Sequence, residues 1–226
     1  MHSDQVRDAA LLERCAAMLT ADERARHDRF VFAKDRHQFL VTRGTIRSLA
    51  ARYLGVDPAA CRFEADRYGR PSLAHPAGAA FAFNLSHTAG LVACAIGRGG
   101  EIGVDVEDTT RDAHGDLPRR FFSTAEADAL EALPAGERQA RFYEYWTLKE
   151  AYIKARGMGL SLPLDGFSML LDGAGPPRIR FLPSLPDDAA SWQFAQFRPT
   201  PRHCLAVAVR RRGAERTIHL REFTLE

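Results

Sequence analysis

Two of the chain's three lysines lie close together, in a sequence that otherwise uses arginine for its cations. Lys149 and Lys154 fall within six residues of each other, and Lys34 is the third lysine, against 28 arginines. An ammonium is a compact point charge, whereas a guanidinium is planar and spreads its charge over a fork of donors. Lysine at these positions therefore indicates a need for a compact cation, although drift can also place two lysines together.

Two carboxylates precede these lysines in the chain. Asp105 and Glu107 are two residues apart in a predicted strand, so their side chains point to one face, while Val104 and Val106 point into a core. Hard carboxylate oxygens suit Mg²⁺, which binds a few carboxylates together with water and substrate phosphate. A solvated strand end is the other interpretation of this motif taken alone.

A third carboxylate stands beside the two lysines. Glu150 and Lys154 are four residues apart in a predicted helix, which is the usual spacing of a surface ion pair. The helix also carries apolar neighbours, which favour a position facing a cleft: Trp146, Leu148, Ala151, Tyr152 and Ile153. Three carboxylates and two lysines in this arrangement would suit one metal-bound polyphosphate.

The segment from Asn84 to Thr88 follows an apolar run and contains the neighbours Ser86 and His87. A serine hydrolase would need a Gly-x-Ser-x-Gly elbow, which is absent around Ser86. Hydroxyl, imidazole and backbone N–H donors suit phosphate oxygens, whereas the same residues can also satisfy a local turn. Both interpretations stay open at this point. Three arginines are either solvated charges or a basic rim for a further phosphate: Arg43, Arg47 and Arg70.

Composition excludes several classes of protein. The chain has 226 residues, of which 46% are hydrophobic and 27% charged, as in an ordinary globular protein. A net charge of +2 gives no electrostatic case for binding nucleic acid. No apolar stretch reaches the roughly 18 residues that a membrane span needs, and the N-terminus lacks the layout of a signal peptide. The four cysteines have no metal-ligand spacing and indicate buried thiols in a reducing compartment, so we expect a cytoplasmic protein.

Helices and strands must position these side chains. A helical pattern covers residues 6–20, and Thr20 with Glu23 predicts a capping box that opens a second helix. A longer helix is expected from Asp35 to Tyr53, ended by Gly55. Short strands are expected at 62–65, 80–85, 91–97 and 103–106.

The second half of the sequence repeats this order. Residues 45–55 align without gaps on residues 147–157, with glycine at the end of both, and the apolar run 91–96 matches 205–209. This repeat predicts an α+β fold of two similar halves, residues 1–102 and 103–226, with the ligand cleft between them. Because one chain supplies both walls of such a cleft, we expect a monomer.

With these motifs in view, the chain resembles the single-chain 4′-phosphopantetheinyl transferases of the surfactin-synthetase-activating type. The resemblance covers about residues 19–209 and is carried by Gly103–Glu107 and Trp146–Lys154, with shorter similar segments at 68–71, 84–87, 120–123 and 159–163. It implies a pseudo-dimeric α+β fold with coenzyme A and Mg²⁺, or Mn²⁺, in the cleft. It also implies transfer of the phosphopantetheine arm to a serine of an apo acyl or peptidyl carrier protein, with release of adenosine 3′,5′-bisphosphate.

The resemblance also implies roles for individual residues. Asp105, Glu107 and Glu150 would hold the metal, and Lys154 would meet the leaving phosphate with the help of Lys149. Glu150 is the first choice for the general base, and a metal-bound water is the second. The remaining contacts to coenzyme A would come from Ser86, His87, Asp105, Arg43, Arg47 and Arg70.

Other features follow from the same resemblance or compete with it. The polar and arginine-rich stretch 108–122 would dock the carrier protein, with a solvated linker as the alternative for its first half. Only a few residues precede Val6 to form the family's first strand. Two other functions compete: a coenzyme A-binding module without catalysis, which would not need all three carboxylates, and a serine hydrolase using Ser86.

Overall fold

The fold is α+β, as the sequence predicts, and its elements follow the expected order. The computed structural model describes residues 1–112, 116–171, 173, 175–211 and 213–225. The first half contains α1 Ala9–Ala17, α2 Ala21–Asp28, α3 Ala33–Leu54, β1 Arg62–Ala65, β2 Pro71–His75, β3 Ala82–Thr88 and β4 Leu91–Gly97. The second half contains β5 Ile102–Asp108, α4 Leu117–Phe121, α5 Thr124–Glu131, α6 Ala135–Arg156, β6 Phe167–Leu170, β7 Arg178–Phe181, β8 Trp192–Thr200 and β9 His203–Arg210.

Local signals in the sequence are confirmed at several element ends. The Thr20 hydroxyl accepts a hydrogen bond from the Glu23 backbone N–H, and the Glu23 carboxylate accepts one from the Thr20 backbone N–H. The predicted capping box therefore begins α2. The first helix is shorter than the predicted 6–20, because Asp8 caps it and it ends at Ala17. Of the two interpretations of residues 84–88, the local turn is wrong, since these residues lie in β3.

The two long helices show the internal repeat most clearly. Both α3 and α6 have 22 residues and end at a left-handed glycine, Gly55 or Gly157. Thr45 and Thr147, at matching positions, donate their hydroxyls to the carbonyl oxygens four residues earlier, at 2.7 and 2.8 Å. The prediction of two similar halves is thus supported by helix length, helix end and side-chain hydrogen bonding together.

The strands follow the same repeat. The antiparallel sheet β5–β9–β8 in the second half corresponds to the pair β3–β4 in the first. Residues 1–3 lie along the free edge of β4, where Met1 exchanges two backbone hydrogen bonds with Val92 and Ser3 donates to the Gly90 carbonyl. These three residues therefore pair with β4 as the family's first strand would, but over a shorter length.

The halves meet where β3 lies beside β5. Three alternate side chains of β3 accept hydrogen bonds from the backbone N–H groups of β5: Asn84 from Val104, Ser86 from Val106 and Thr88 from Asp108, at 2.9, 3.3 and 3.2 Å. We call this set the side-chain ladder. It holds β5 in a fixed position against β3 without a backbone ladder. The boundary between residues 102 and 103 falls at the start of β5 and stays a prediction.

Two apolar clusters flank β5. Val104 and Val106 are buried on one face, as predicted, together with residues of β4 and β9. The opposite face packs on α6, which contributes Leu148, Ala151 and Tyr152 to the larger core. Three cysteines are buried, Cys94 is half-buried, and all four are free thiols. Within the residues that the structure describes, no helix is long and apolar enough to cross a membrane.

Gly103 allows β5 and α6 to approach closely enough for their side chains to meet. A Cβ at this position would lie 2.0 Å from the Ala151 carbonyl oxygen and 2.5 Å from the Ala155 amide nitrogen. Both are backbone atoms in the middle of a helix, so they cannot move without displacing α6. The glycine is therefore a steric requirement of the strand–helix contact.

We expect Gly103→Ala to lower the free energy of unfolding by about 3 kcal/mol or more, since overpacking against backbone is at the costly end of such changes. Urea unfolding would measure it. Gly136→Ala is the matched control, because nothing lies within 4 Å of its Cβ position in α6. That variant should be neutral or more stable by up to about 1 kcal/mol. Equal stability of the two variants would contradict this account of Gly103.

Candidate active site

A hydrogen-bonded triangle joins the two halves at the C-terminal end of α6. The Lys154 ammonium donates to Asp105 Oδ1 at 2.6 Å and to Ser86 Oγ at 3.0 Å. Ser86 in turn donates to Asp105 Oδ1 at 2.9 Å. The three residues come from α6, β5 and β3, so the triangle depends on the side-chain ladder and on the close contact at Gly103. Lys154 and Asp105 lie together, as the expected common site requires.

Asp105 has one oxygen in this triangle and one oxygen left over. Its side chain is 5% exposed, and Oδ2 is buried without a hydrogen-bond partner among the described residues. A buried carboxylate oxygen without a donor costs free energy, usually about 1–3 kcal/mol. Asp105 Oδ2 is therefore free to bind a cation.

The charge of Asp105 affects the pKa values of the other two carboxyl groups, Glu107 and Glu150. Burial, and then the negative charge of Asp105, raise the pKa of Glu150 to about 7, against the opposing effect of Lys154. The same two causes raise the pKa of Glu107, while a hydrogen bond from the Trp146 indole acts in the other direction. Carboxylates that disfavour one another's ionisation in this way favour a shared cation.

The carboxylates do not yet form a closed metal cage. Among the described residues, no three His, Cys, Asp or Glu side chains already stand at metal-binding distances from one another. The donor set nevertheless fits a hard divalent ion. Three carboxylates, one of which has a buried oxygen without a hydrogen-bond partner, suit Mg²⁺, which also keeps waters and substrate oxygens as ligands. Asp105, Glu107 and Glu150 are thus the residues able to hold it.

His87 follows Ser86 on β3. Burial of the imidazole, followed by the nearby charges of Lys154 and Arg26, lowers its pKa. A neutral imidazole at pH 7 can donate one hydrogen bond to a phosphate oxygen. Arg26 of α2 belongs to this surface as well. Sequence reasoning did not single it out, because one arginine on a polar helix carries no distinguishing signal.

The three arginines expected around coenzyme A have partners within the protein. Arg47 is 1% exposed and donates to Glu23 at 2.7 Å, and Arg43 lies 3.4 Å from the same carboxylate. Arg70 donates to the Ala155 carbonyl at 3.1 Å, at the C-terminal end of α6. None of the three is therefore a simple solvated charge, and their expected contacts with coenzyme A stay predictions.

Lys149 is a correction to the expected cluster. Its side chain is fully buried, pairs with Glu126 at 2.7 Å, and donates to the Leu164 and Phe167 carbonyl oxygens at 2.7 and 2.6 Å. Burial lowers the pKa of Lys149, and Glu126 opposes this change. The ammonium therefore joins α5, α6 and the start of β6, and the geometry does not bring it to the triangle. Of the two neighbouring lysines, only Lys154 faces the cleft.

The expected docking stretch 108–122 is described only in part, since residues 113–115 lie outside the described residues. Arg119 is paired with Asp128 and Glu131 of α5. Arg120 is exposed and lies over the ring of Phe121, 5.2 Å from its centroid. Phe121 packs edge-on against Trp146 at 5.9 Å, whereas Phe122 is buried in the core. Arg120 is thus exposed, and the half-buried Phe121 lies between it and Trp146.

Comparison with known proteins covers almost the whole chain. Residues 101–208 match the 4′-phosphopantetheinyl transferase superfamily, and residues 8–97 match the 4′-phosphopantetheinyl transferase N-terminal family. The chain is 36% identical over 201 residues to the 4′-phosphopantetheinyl transferase HetI of a Nostoc species, covering 88% of this chain and 81% of that one.

Two further relatives extend the comparison. The chain is 33% identical to the 4′-phosphopantetheinyl transferase Sfp of Bacillus subtilis strain 168, over 86% of this chain and 84% of that one. Half of the fold also matches a crystal structure of a Bacillus anthracis holo-(acyl-carrier-protein) synthase in complex with coenzyme A (3′,5′-ADP). That match has a TM-score of 0.41 and 18% identity, and covers 49% of this chain and 94% of that one.

Proposed function

Because the chain belongs to the 4′-phosphopantetheinyl transferase superfamily, we propose that Asp105, Glu107 and Glu150 hold one Mg²⁺ for its reaction. The enzyme modifies carrier proteins with the phosphopantetheine arm of coenzyme A. The proposal concerns how this chain does so. The products would be the holo carrier protein and adenosine 3′,5′-bisphosphate.

One observation carries the proposal: the Lys154 ammonium, the Ser86 hydroxyl and a half-satisfied Asp105 carboxylate converge between the two halves. A cation next to carboxylates is the arrangement needed to bind a polyphosphate through a metal and to neutralise charge on one phosphate. When bound, Mg²⁺ would neutralise charge on the coenzyme's pyrophosphate. A coenzyme A-binding module without catalysis would have no need of three carboxylates whose charges oppose one another.

The residues of the chain then have separate tasks. Glu150, ionised once the metal is bound, would accept the proton of the carrier serine hydroxyl as the serine oxygen attacks the β-phosphorus. Lys154 moves from Asp105 to the bridging oxygen of the departing adenosine 3′,5′-bisphosphate and meets the negative charge that grows there. The Ser86 hydroxyl and the neutral His87 imidazole hold the non-bridging oxygens.

The carrier protein would dock where Arg120 and Phe121 remain accessible. Carrier proteins are generally acidic, and an arginine stacked on an aromatic ring is a preferred anchor at interfaces. The contact of Phe121 with Trp146 places this surface next to the indole that hydrogen-bonds Glu107. Docking would therefore bring the carrier serine to the metal side of the cleft.

The direct test combines the protein with coenzyme A, Mg²⁺ and several apo carrier proteins, followed by mass spectrometry of each carrier. We expect a mass gain of one phosphopantetheine group, no gain with excess EDTA, and no gain on a carrier whose acceptor serine is replaced by alanine. Undiminished transfer in EDTA would refute the metal role. Labelling of the chain by a fluorophosphonate probe, lost in Ser86→Ala, would instead support a serine hydrolase.

The same single-chain arrangement leads us to propose a monomer, since β3 and β5 of one chain already build both walls of the site. Light scattering in dilute solution measures this. A stable trimer would contradict it.

Mg²⁺ binding should depend on pH through Glu150. Its pKa in the folded protein is raised to about 7 from the ordinary 4.5, so this group stabilises the metal-free protein below about pH 4.5. That contribution is lost as the pH rises through 7. At pH 8 the ionised cluster gains a counter-ion, whereas at pH 6 Mg²⁺ must displace a proton. We expect saturating Mg²⁺ to raise Tm by several degrees more at pH 8 than at pH 6, at about 2–4 °C per kcal/mol.

Differential scanning fluorimetry with and without Mg²⁺ at the two pH values gives this comparison. Glu150→Gln is the control, because it cannot ionise and should show a small gain that is the same at both pH values. An equal gain for the unaltered protein at pH 6 and pH 8 would rule out Glu150 as a titrating metal ligand.

A further inference from the structure

A large cavity lies on the face of β5 opposite the candidate active site. Its volume is about 1140 Å³, slightly above the usual range of small-molecule sites, about 300–1,000 Å³. Its floor is apolar and formed by strands of both halves: Leu91, Ala93, Ala95, Ile102, Val104, Leu205, Val207 and Val209. One wall is a single face of α3, with Thr45, Leu49, Arg52 and Tyr53, and the other is the C-terminal segment 216–223.

The internal repeat relates this cavity to the active-site cleft. Thr45 and Arg52 of α3 align with Thr147 and Lys154 of α6, so the helix face that lines the cavity is the one that carries Lys154 in the second half. Arg52 therefore occupies the position of the catalytic ammonium.

Strand pairing extends this relation to the metal ligands. Asp105 lies opposite Ala206 in β9, and Met1 lies opposite Val92, the residue of β4 that aligns with Ala206. By the same register Ser3 stands in place of Glu107, and the helix alignment puts Ser48 in place of Glu150. All three carboxylate side chains are thus replaced by side chains without charge. The repeat-related cleft keeps a cation but lacks counterparts of the three carboxylates proposed to hold Mg²⁺.

The C-terminal segment takes the place of a missing strand in this second cleft. In the first cleft, Asn84 of β3 binds the backbone of β5. Its counterpart in β8 by register is Gln193, which accepts from the Arg216 amide at 2.9 Å and donates to the Arg216 carbonyl at 2.7 Å. Ile218 then packs on the apolar floor, and Phe223 and Leu225 reach the core of α1 and α3. The segment closes one side of the cavity and leaves its volume open.

The rim of the cavity is basic. Arg52, Arg216 and Arg221 are among its lining residues, and none of their side chains has an ion-pair or hydrogen-bond partner within the described part of the chain. Glu222, the one acidic residue among the described lining residues, has its carboxylate 3.8 Å from the imidazole of His2. An apolar cavity with unpaired guanidinium groups at its rim is complementary to an alkyl chain with an anionic head.

We propose that this cavity is a second, non-catalytic ligand site that binds a long-chain alkyl carboxylate. The alkyl chain lies on the floor formed by β4, β5 and β9, and the carboxylate meets Arg52 and the arginines of segment 216–223. The site shares β5 with the catalytic cleft but uses none of its catalytic residues, so it does not depend on the proposed function.

Titration calorimetry with tetradecanoate, below its micellar concentration, tests the site in the full-length protein. We expect saturable binding at one site per chain. Because each methylene contributes about threefold to fourfold in affinity, octanoate should bind at least about a hundredfold more weakly. Tetradecyltrimethylammonium, with the same chain and a cationic head, should bind at least about tenfold more weakly, because it meets the same arginines.

Two variants locate the ligand. Leu49→Trp fills the cavity from the half-buried side of α3 and should reduce tetradecanoate affinity at least about tenfold. Arg52→Glu should do the same through the head group. The control Arg62→Glu changes an exposed arginine of β1 that is not among the cavity lining and should bind as the unaltered protein does. Carrier modification should be unchanged in all three variants.

Several outcomes would overturn the proposal. One is the absence of saturable tetradecanoate binding to the unaltered protein. Another is equal affinity for the carboxylate and the ammonium compound, which would indicate a non-specific detergent effect. Unaltered binding to a folded Leu49→Trp variant would place the ligand elsewhere on the chain.

Discussion

Asp105→Asn is expected to reduce carrier modification by at least about a thousandfold while the protein stays folded. The amide keeps the size of the carboxyl group and still accepts from Lys154 and Ser86, whose contacts to Oδ1 are 2.6 and 2.9 Å. It replaces the unpartnered Oδ2 by an N–H₂ donor, which cannot bind a cation. A thousandfold loss corresponds to about 4 kcal/mol of transition-state stabilisation.

Asp105→Asn should also change the pKa of Glu150. Since the charge of Asp105 helps to raise the pKa of Glu150, its removal should bring that pKa down towards the ordinary carboxyl range. Residual activity should therefore extend to lower pH than in the unaltered enzyme. The measurements are turnover against pH, Mg²⁺ affinity by calorimetry, and Tm.

Asp22→Asn is the matched control, because Asp22 is exposed in the first turn of α2 and far from the motifs in the chain. It should keep full activity. Asp105→Asn with full activity and unchanged Mg²⁺ affinity would remove the metal site from the mechanism, whereas an unfolded variant would show that Asp105 mainly holds the two halves together.

The sequence predicts those parts of the fold that local chemistry decides. A capping box opens α2 because Thr20 and Glu23 satisfy each other's backbone amides within four residues. Gly55 and Gly157 end the long helices because each adopts a positive φ, of 68° and 71°. The repeat of helix, glycine and strand is visible because each half must bury the same kind of faces.

Long-range burial is what the sequence does not reveal. Lys149 and Lys154 are both flanked by apolar residues, and nothing in their spacing tells which one faces the cleft. The difference is made by Glu126, which lies 23 positions earlier as the acidic member of a capping box with Ser123. That motif predicts a local role, yet the same carboxylate also pairs with Lys149.

The sequence also does not reveal how the two halves are joined. Asn84, Ser86 and Thr88 are turn-forming residues by composition, but β3 is held extended by seven paired residues of β4. Their polar side chains are then free to bind the amides of β5 in place of a neighbouring strand. Strand pairing with β4 therefore outweighs the turn propensity of these residues.

Lys154→Arg should be far from conservative, although it keeps the charge. The ammonium sits between Asp105 Oδ1 and Ser86 Oγ, and its side chain is 26% exposed. A guanidinium is broader and planar, so it cannot occupy a position bounded by two oxygens at 2.6 and 3.0 Å without displacing one of them. We expect turnover to fall by about one to three orders of magnitude, or roughly 1.4–4 kcal/mol.

Coenzyme A affinity should fall less than turnover, because the contacts proposed for His87 and Ser86 with the phosphates would remain. Such a split between turnover and binding indicates an interaction made mainly in the transition state. The same substitution at Lys34, an exposed lysine outside the triangle, is the control and should change neither quantity. If Glu150 and Lys154 were only a surface ion pair, arginine would pair as well as lysine, and Lys154→Arg would match the unaltered enzyme. Measured turnover of these two variants therefore decides between a catalytic ammonium and a solvated one.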